Sequence, residues 1–271
     1  MTILQAVILG VVQGLTEFLP VSSSGHLVLA EHLLGIQNTG DITFEVFVHF
    51  GTFCSVVVVF WNDIVAIVRS LINAFSPFQF NKAYYRKHEE FRTAVHVVVG
   101  TIPAGIVGWK YEHAISETFS DPKFVAAMLV VTALILFLTG LAKPIKGKKV
   151  GFVSAIIIGI AQAVAVIPGI SRSGSTMSTA LYLRTDPYQA ARFSFLLSLP
   201  VIAGATLLKT TELIQSGTTL HGLFALCVGT LVAFVSGYFA IKILLWIMER
   251  GQFRWFSLYC LTVGVLGILF I

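Results

Sequence analysis

Five long apolar stretches, residues 44–61, 93–109, 122–141, 220–247 and 254–271, dictate most of what this chain can become. Each approaches or exceeds the roughly 17 to 25 residues that a helix needs to cross a bilayer core, and each is too long for a barrel strand. In lipid a backbone must satisfy its own N–H and C=O groups, so such stretches become helices. Composition agrees: 56% of the residues are hydrophobic and 11% charged, and the mean hydropathy is +0.87, outside the range of water-soluble domains. The sequence predicts an all-α polytopic membrane protein.

The net charge of +5 is not a nucleic-acid footprint, because the basic residues sit in short connections between apolar stretches, where membrane topology accounts for them. No nucleic-acid partner is expected. Cys54, Cys227 and Cys260 lie singly inside apolar stretches, without disulfide or metal-ligand spacing, and read as small buried packing residues. No Lys or Arg precedes Arg69, so the apolar N-terminal segment lacks the basic start of a cleavable signal and is kept in the fold.

Two connections are plainly basic: residues 69–92, with Lys82, Arg86 and Lys87, and residues 143–149, "KPIKGKK". The positive-inside rule puts both in the cytoplasm. The loop carrying Glu112, Glu117 and Asp121 then faces outward, as do residues 37–42. Beyond Lys149, Arg184 and Arg192 mark another inner connection, followed by a span at about 192–208, an outer loop near Glu212, and an inner turn at Arg250 and Arg254.

Residues 26–36 and 174–184 are too short to be spans. About eleven residues make roughly 16 Å of helix, half a bilayer. Each follows a longer apolar arm and a polar break, so both read as re-entrant hairpins, at about 2–36 and 151–184, with tips inside the membrane. Irregular backbone at that depth is tolerated only where it is buried in protein or lines a watery cavity.

The two hairpins are related by an offset of 149: Gly10 falls on Gly159, Gln13 on Gln162, Gly25 on Gly174 and Phe44 on Phe193. "QGLTEFLPVSSSGH" pairs with "QAVAVIPGISRSGS", with Pro20 and Pro168 one position out of register. Three spans separate the hairpins, an odd number, so the second enters from the opposite face. The expected architecture is one membrane domain of two inverted repeats, 1–142 and 150–271, with about six transmembrane helices plus two re-entrant hairpins.

Facing tips would bring Glu17, Ser22, Ser23 and His26 near Ser171, Arg172, Ser173 and Thr176. A carboxylate, hydroxyls and an imidazole opposite a guanidinium are parts for binding and cleaving a phosphate ester or anhydride. Arg172 can hold phosphate oxygens with its planar fork, and the short helices starting near Gly25 and Gly174 aim free N–H groups at an anion. A Ser or His could attack phosphorus, activated by a neighbouring base or metal. The blander reading makes the serines partners for a helix break and Arg172 an interfacial anchor. Glu17 resists it, because an ionisable group at the centre of a membrane helix costs about 3 kcal/mol. Gln13 lies one turn from Glu17 and can orient it, while Gln162 can bridge helices. Glu45 and His49, four apart, line the same cavity or sit at the interface.

At these residues the chain resembles the bacterial undecaprenyl-diphosphate phosphatases of the BacA type. The resemblance covers nearly the whole length and rests on "QGLTE", "FLPVSSSGH" and "PGISRSGST". It implies hydrolysis of undecaprenyl diphosphate to the monophosphate, recycling the carrier lipid of peptidoglycan synthesis and giving bacitracin resistance. It further implies a multi-pass protein of the bacterial cell membrane whose site opens outward. Essential roles fall on Glu17, Ser23, His26 and Arg172, and substrate contacts on Gln13, Ser22, Ser24, Gly25, Ser171, Ser173, Gly174 and Thr176. A divalent cation, Mg²⁺ or Ca²⁺, is expected near Glu17. Many members have Glu where this chain has Gln13, so the ion would lean on Glu17 and the substrate's phosphates. The favoured chemistry is attack by Ser23 with His26 as base; attack by His26, or by water, stays open. The expected partners are a polyprenyl diphosphate, membrane lipid and, as an open expectation, a second copy of the chain. The rival class is a polyprenyl-phosphate transporter, which needs Arg172 but no nucleophile beside it.

Overall fold

Thirteen α-helices make up most of the described part of the chain, residues 1–36, 43–75, 82–216 and 220–271 of a computed structural model. The expected outer loop at 37–42 lies outside the described residues, as does the 76–81 part of the first basic connection. Helix α1 (Ile3–Phe18) opens on a capping box between Thr2 and Gln5 and ends before Pro20. It is followed by α2 (Ser23–Leu33), α3 (Thr43–Val59), α4 (Trp61–Phe75), α5 (Lys82–Lys87), α6 (Glu89–Lys110), α7 (Glu112–Thr118) and α8 (Pro122–Leu138). The second half holds α9 (Phe152–Val164), α10 (Arg172–Tyr182), α11 (Pro187–Ser216), α12 (Leu220–Glu249) and α13 (Phe256–Phe270).

Among the described residues five helices are long and apolar enough to cross a membrane, and a sixth span results if α3 and α4 count as one. The chain is a polytopic all-α membrane protein. One expected boundary shifts. The stretch 44–61 bends by 81° after Val59 and continues as α4, so the basic connection begins inside a helix at Arg69. The reason is amphipathicity: Ile64 and Ile67 pack on the main core and Leu71 on a small cluster of Ala74, Tyr84 and Phe91. Helix α11 likewise runs past the expected loop at Glu212, to Ser216.

The offset of 149 recurs in the backbone. Ser22 and Ser171 cap α2 and α10, accepting from Gly25 N and Gly174 N at 3.3 and 3.0 Å. Both helices end in the same pair of bonds, Gly35 N to His32 O and Ile36 N to Glu31 O in one, Arg184 N to Leu181 O and Thr185 N to Ala180 O in the other. Gly35 and Arg184 both take positive φ there, 63° and 65°.

Between the halves, α1 packs on α12 and α9 on α6. Both contacts use glycine pairs, as membrane helices do to bring backbones close. A Cβ on Gly10 would stand 2.6 Å from the Gly229 carbonyl oxygen, and one on Gly159 would strike the carbonyl of Gly100. Cys260 is buried and Cys54 half-buried, but Cys227 is exposed, against the expectation for all three. On an outer helix face the solvent is lipid, which accommodates a small thiol as readily as a core does.

Candidate active site

Helix length separates the chemistry of the two tips. Helices α1 and α9 start at equivalent positions, Ile3 and Phe152, but α9 ends at Val164. The helical last turn of α1 therefore carries Glu17, whereas its mate Val166 has already left the helix.

Around the Glu17 carboxylate four elements converge. Ser23, first residue of α2, donates its hydroxyl to Oε2 at 2.6 Å, and Gln13, one turn back on α1, donates Nε2 to the same oxygen at 3.0 Å. The guanidinium of Arg172, first residue of α10, is ion-paired with Oε1. His49 on α3 brings Nε2 to 3.4 Å from Oε2. Its Nδ1 donates to the Glu45 carbonyl at 2.7 Å, which fixes the ring. Glu17 is 6% exposed, so the charge depends on these neighbours rather than on water.

His49 is the residue that spacing undervalued. Its pairing with Glu45 marked a helix face but not that α1 would lie against it. Glu45 contributes its backbone carbonyl to the ring of His49.

His26 points elsewhere. Its Nδ1 donates to the Ser22 carbonyl at 2.8 Å, and its Nε2 lies 2.9 Å from the Tyr259 hydroxyl on α13, with the two rings stacked at 5.5 Å. The hydroxyl of Ser23 is therefore on Glu17, not on the imidazole expected to be its base. Ser22 itself sits at φ 70°, unusual for a residue with a Cβ. The bond from His26 holds the carbonyl of that turn. Ser24, half-buried, lies 3.3 Å from the Ser22 hydroxyl.

The second tip is mostly built into the protein. Ser171 caps α10, and Ser173 donates to the Leu19 carbonyl of the first tip at 3.1 Å. Thr176 is fully buried and bonds Ser194 at 2.6 Å and the Arg172 carbonyl at 2.9 Å, behind the cluster rather than in it. Gly174 and Gly25 are both buried, their N–H groups spent on the capping serines. Thr132 of α8 clamps the turn, donating to Gly169 O at 2.8 Å and accepting from Ser171 N at 3.0 Å. Gly169 has φ 90° and lies against the backbone of Val125, where no side chain fits.

The donor chemistry suits a hard cation. Gln13, whose amide nitrogen meets the carboxylate of Glu17, keeps its amide oxygen buried without a hydrogen-bond partner among the described residues. Among the described residues no three His, Cys, Asp or Glu side chains converge as a metal site. A Mg²⁺ or Ca²⁺ ion would thus take most of its ligands from phosphate and water, as Mg²⁺ commonly does.

Comparison with known proteins covers nearly the whole chain. Residues 6–266 match the family described as bacitracin resistance protein BacA. An undecaprenyl-diphosphatase of Salinibacter ruber is 42% identical over 269 residues, covering 99% of each chain. Another, of Halothermothrix orenii, is 42% identical over 271 residues, covering 99% of this chain and 98% of the relative. A third, of Bacteroides thetaiotaomicron, is 39% identical over 272 residues and 99% of each chain. With a family match over residues 6–266 and relatives about 40% identical over nearly their whole length, the chain belongs to the BacA family.

Proposed function

We propose that this protein is an integral membrane phosphatase that hydrolyses undecaprenyl diphosphate to undecaprenyl phosphate and inorganic phosphate, returning the carrier lipid to peptidoglycan synthesis. The observation that carries the reading is the Ser23 hydroxyl on the Glu17 carboxylate at 2.6 Å, with the Arg172 guanidinium on the same carboxylate. A nucleophile, a base and an anion clamp then share one buried cluster. The full-length similarity to undecaprenyl-diphosphatases supports the choice of substrate.

In this reading Arg172 exchanges Glu17 for phosphate oxygens, which frees the carboxylate as base. Ser23 Oγ forms a bond to the terminal phosphorus and its proton passes to Glu17. The bridging P–O bond breaks with its electron pair on undecaprenyl phosphate, which takes the proton from Glu17. Water then attacks the phosphoserine, giving its proton to Glu17, and Ser23 departs and recovers that proton as phosphate leaves. His26 is a positioning residue that holds the Ser22 turn, and His49, when both its ring nitrogens carry protons, steadies the carboxylate. Glu17, with the Gln13 amide oxygen, would hold a divalent cation, which when bound offsets phosphate charge.

The two halves read as inverted repeats, supported by the matched caps of α2 and α10 and by the exchange of α1 and α9 onto α12 and α6. With the basic connections inside, the Glu17 cluster opens to the outer face. Purified protein with undecaprenyl diphosphate tests the reading. Phosphate release should be lost in Ser23→Ala and Arg172→Ala, with acid-stable phosphoserine trapped in the wild type. Acid-labile phosphohistidine would move the nucleophile to His26.

A further inference from the structure

Below the first tip lies a cavity of about 610 Å³ between the end of α1, the end of α12 and the start of α13. Leu15, Leu19, Val21, Ile247 and Phe256 give it an apolar wall. Thr16 also lines it, but its hydroxyl is turned back onto the Val12 carbonyl at 2.6 Å. The remaining polar edge includes Tyr259, whose hydroxyl is the group bonded to His26. The cavity thus borders the tip that carries Ser22 and Ser23, through the loop residues Leu19 and Val21 and through the Tyr259–His26 bond. Helix α13 is tied to that tip a second time, through Cys260 Sγ and the Pro20 carbonyl at 3.6 Å.

We propose that this cavity is the seat of the head-proximal isoprenoid units of the lipid substrate, with Tyr259 at the join between tail and phosphate site. The proposal rests on the phosphatase reading and adds where the tail goes. Leu19 and Val21 of the cavity wall belong to the short loop that joins the helix of Glu17 to Ser22 and Ser23, so a ligand whose phosphates are held at that tip has this wall within reach of its first isoprene units. A larger groove of about 840 Å³ between α8 and α13 is the competing location. None of its lining side chains, which include Leu134, Phe137 and Leu261, is hydrogen-bonded to Glu17, Ser23, His26 or Arg172 among the described residues. A tail moving from lipid into an apolar cavity exchanges one apolar solvent for another, so the site must select by shape, a methyl-branched chain over a straight one.

Phosphate release from undecaprenyl diphosphate and from isopentenyl diphosphate, measured on the purified protein, tests this. Leu15→Trp narrows the cavity and is expected to raise the KM for the long substrate several-fold relative to the short one. Leu134→Trp, in the other groove, should leave that ratio unchanged. An unaltered ratio in Leu15→Trp, or a shift in Leu134→Trp alone, overturns the proposal. Failure of the wild type to cleave either diphosphate overturns instead the phosphatase reading beneath it. Should the indole prevent folding, Leu15→Cys decides: undecaprenol should slow its alkylation by a lipid-permeant maleimide, and hexadecane should not. Equal protection by both would assign the cavity to bulk lipid and end the proposal.

Discussion

Glu17 and Arg172 are 155 residues apart and form a largely buried ion pair between the tips of the two hairpins. The Glu17 side chain is 5% exposed and that of Arg172 19%, so neither charge has much water to fall back on. Removing one partner of a buried pair leaves the other uncompensated, at about 3 to 5 kcal/mol, while removing both is far milder. Arg172→Ala should therefore lower the Tm in detergent more than the double variant Glu17→Gln, Arg172→Met. Both should lack phosphate release. A double variant less stable than Arg172→Ala would mean that the pair holds the tips together by net attraction.

Thr132 makes a separate prediction about the second tip. It donates to Gly169 O and accepts from Ser171 N, and Val would remove both bonds at nearly constant volume. A buried N–H left unpaired costs about 1 to 3 kcal/mol. Thr132→Val should lower the Tm and reduce phosphate release by loosening the start of α10, and Thr132→Ser should restore both. Thermal melts followed beside activity would show a flaw in this account if activity fell with no loss of stability.

The glycine contacts between halves predict that size, not polarity, is limiting there. Gly159→Ala drives a methyl into the Gly100 carbonyl, and overpacking of this kind costs about 1 to 3 kcal/mol or more. Gly105, with open space around its Cβ position, is the control on the same α6 that carries Gly100. Gly159→Ala should reduce the yield of folded protein in detergent, and Gly105→Ala should not.

What the sequence made legible follows from what one dimension can record. Ser22 and Ser171 are at equivalent positions in matching motifs, so self-comparison pairs the two tips, although it reads these serines as substrate contacts and not as the helix caps they form, and Glu17 stands out because a carboxylate among apolar neighbours has few structural excuses. The 81° bend after Val59 is not written that way: the apolar pattern continues through it, and only packing of Ile64, Ile67 and Leu71 turns the chain. Thr132, a single hydroxyl in an apolar helix, looks like any interhelical polar residue until Gly169 and Ser171 are placed against it. The aim of His26 was hidden for a similar reason. Nearness in sequence favoured Ser23 as its partner, whereas Tyr259 arrives from the far end of the chain.

His49 gives the last prediction, because its geometry separates a positioning role from mere packing. The ring is fixed by the Glu45 carbonyl at 2.7 Å and presents Nε2 to Glu17 at 3.4 Å. If it steadies the carboxylate for its exchange with Ser23, His49→Ala should lower kcat about tenfold, well short of the 10²–10⁴ expected from loss of a direct acid or base. KM should change little, since Arg172 and not His49 takes the phosphates. Gln can place an amide N–H close to where Nε2 lies, so His49→Gln should recover most of the lost kcat. A packing role would instead show a lowered Tm in His49→Ala with no recovery by Gln, and measurement of kcat, KM and Tm on the two variants decides between them.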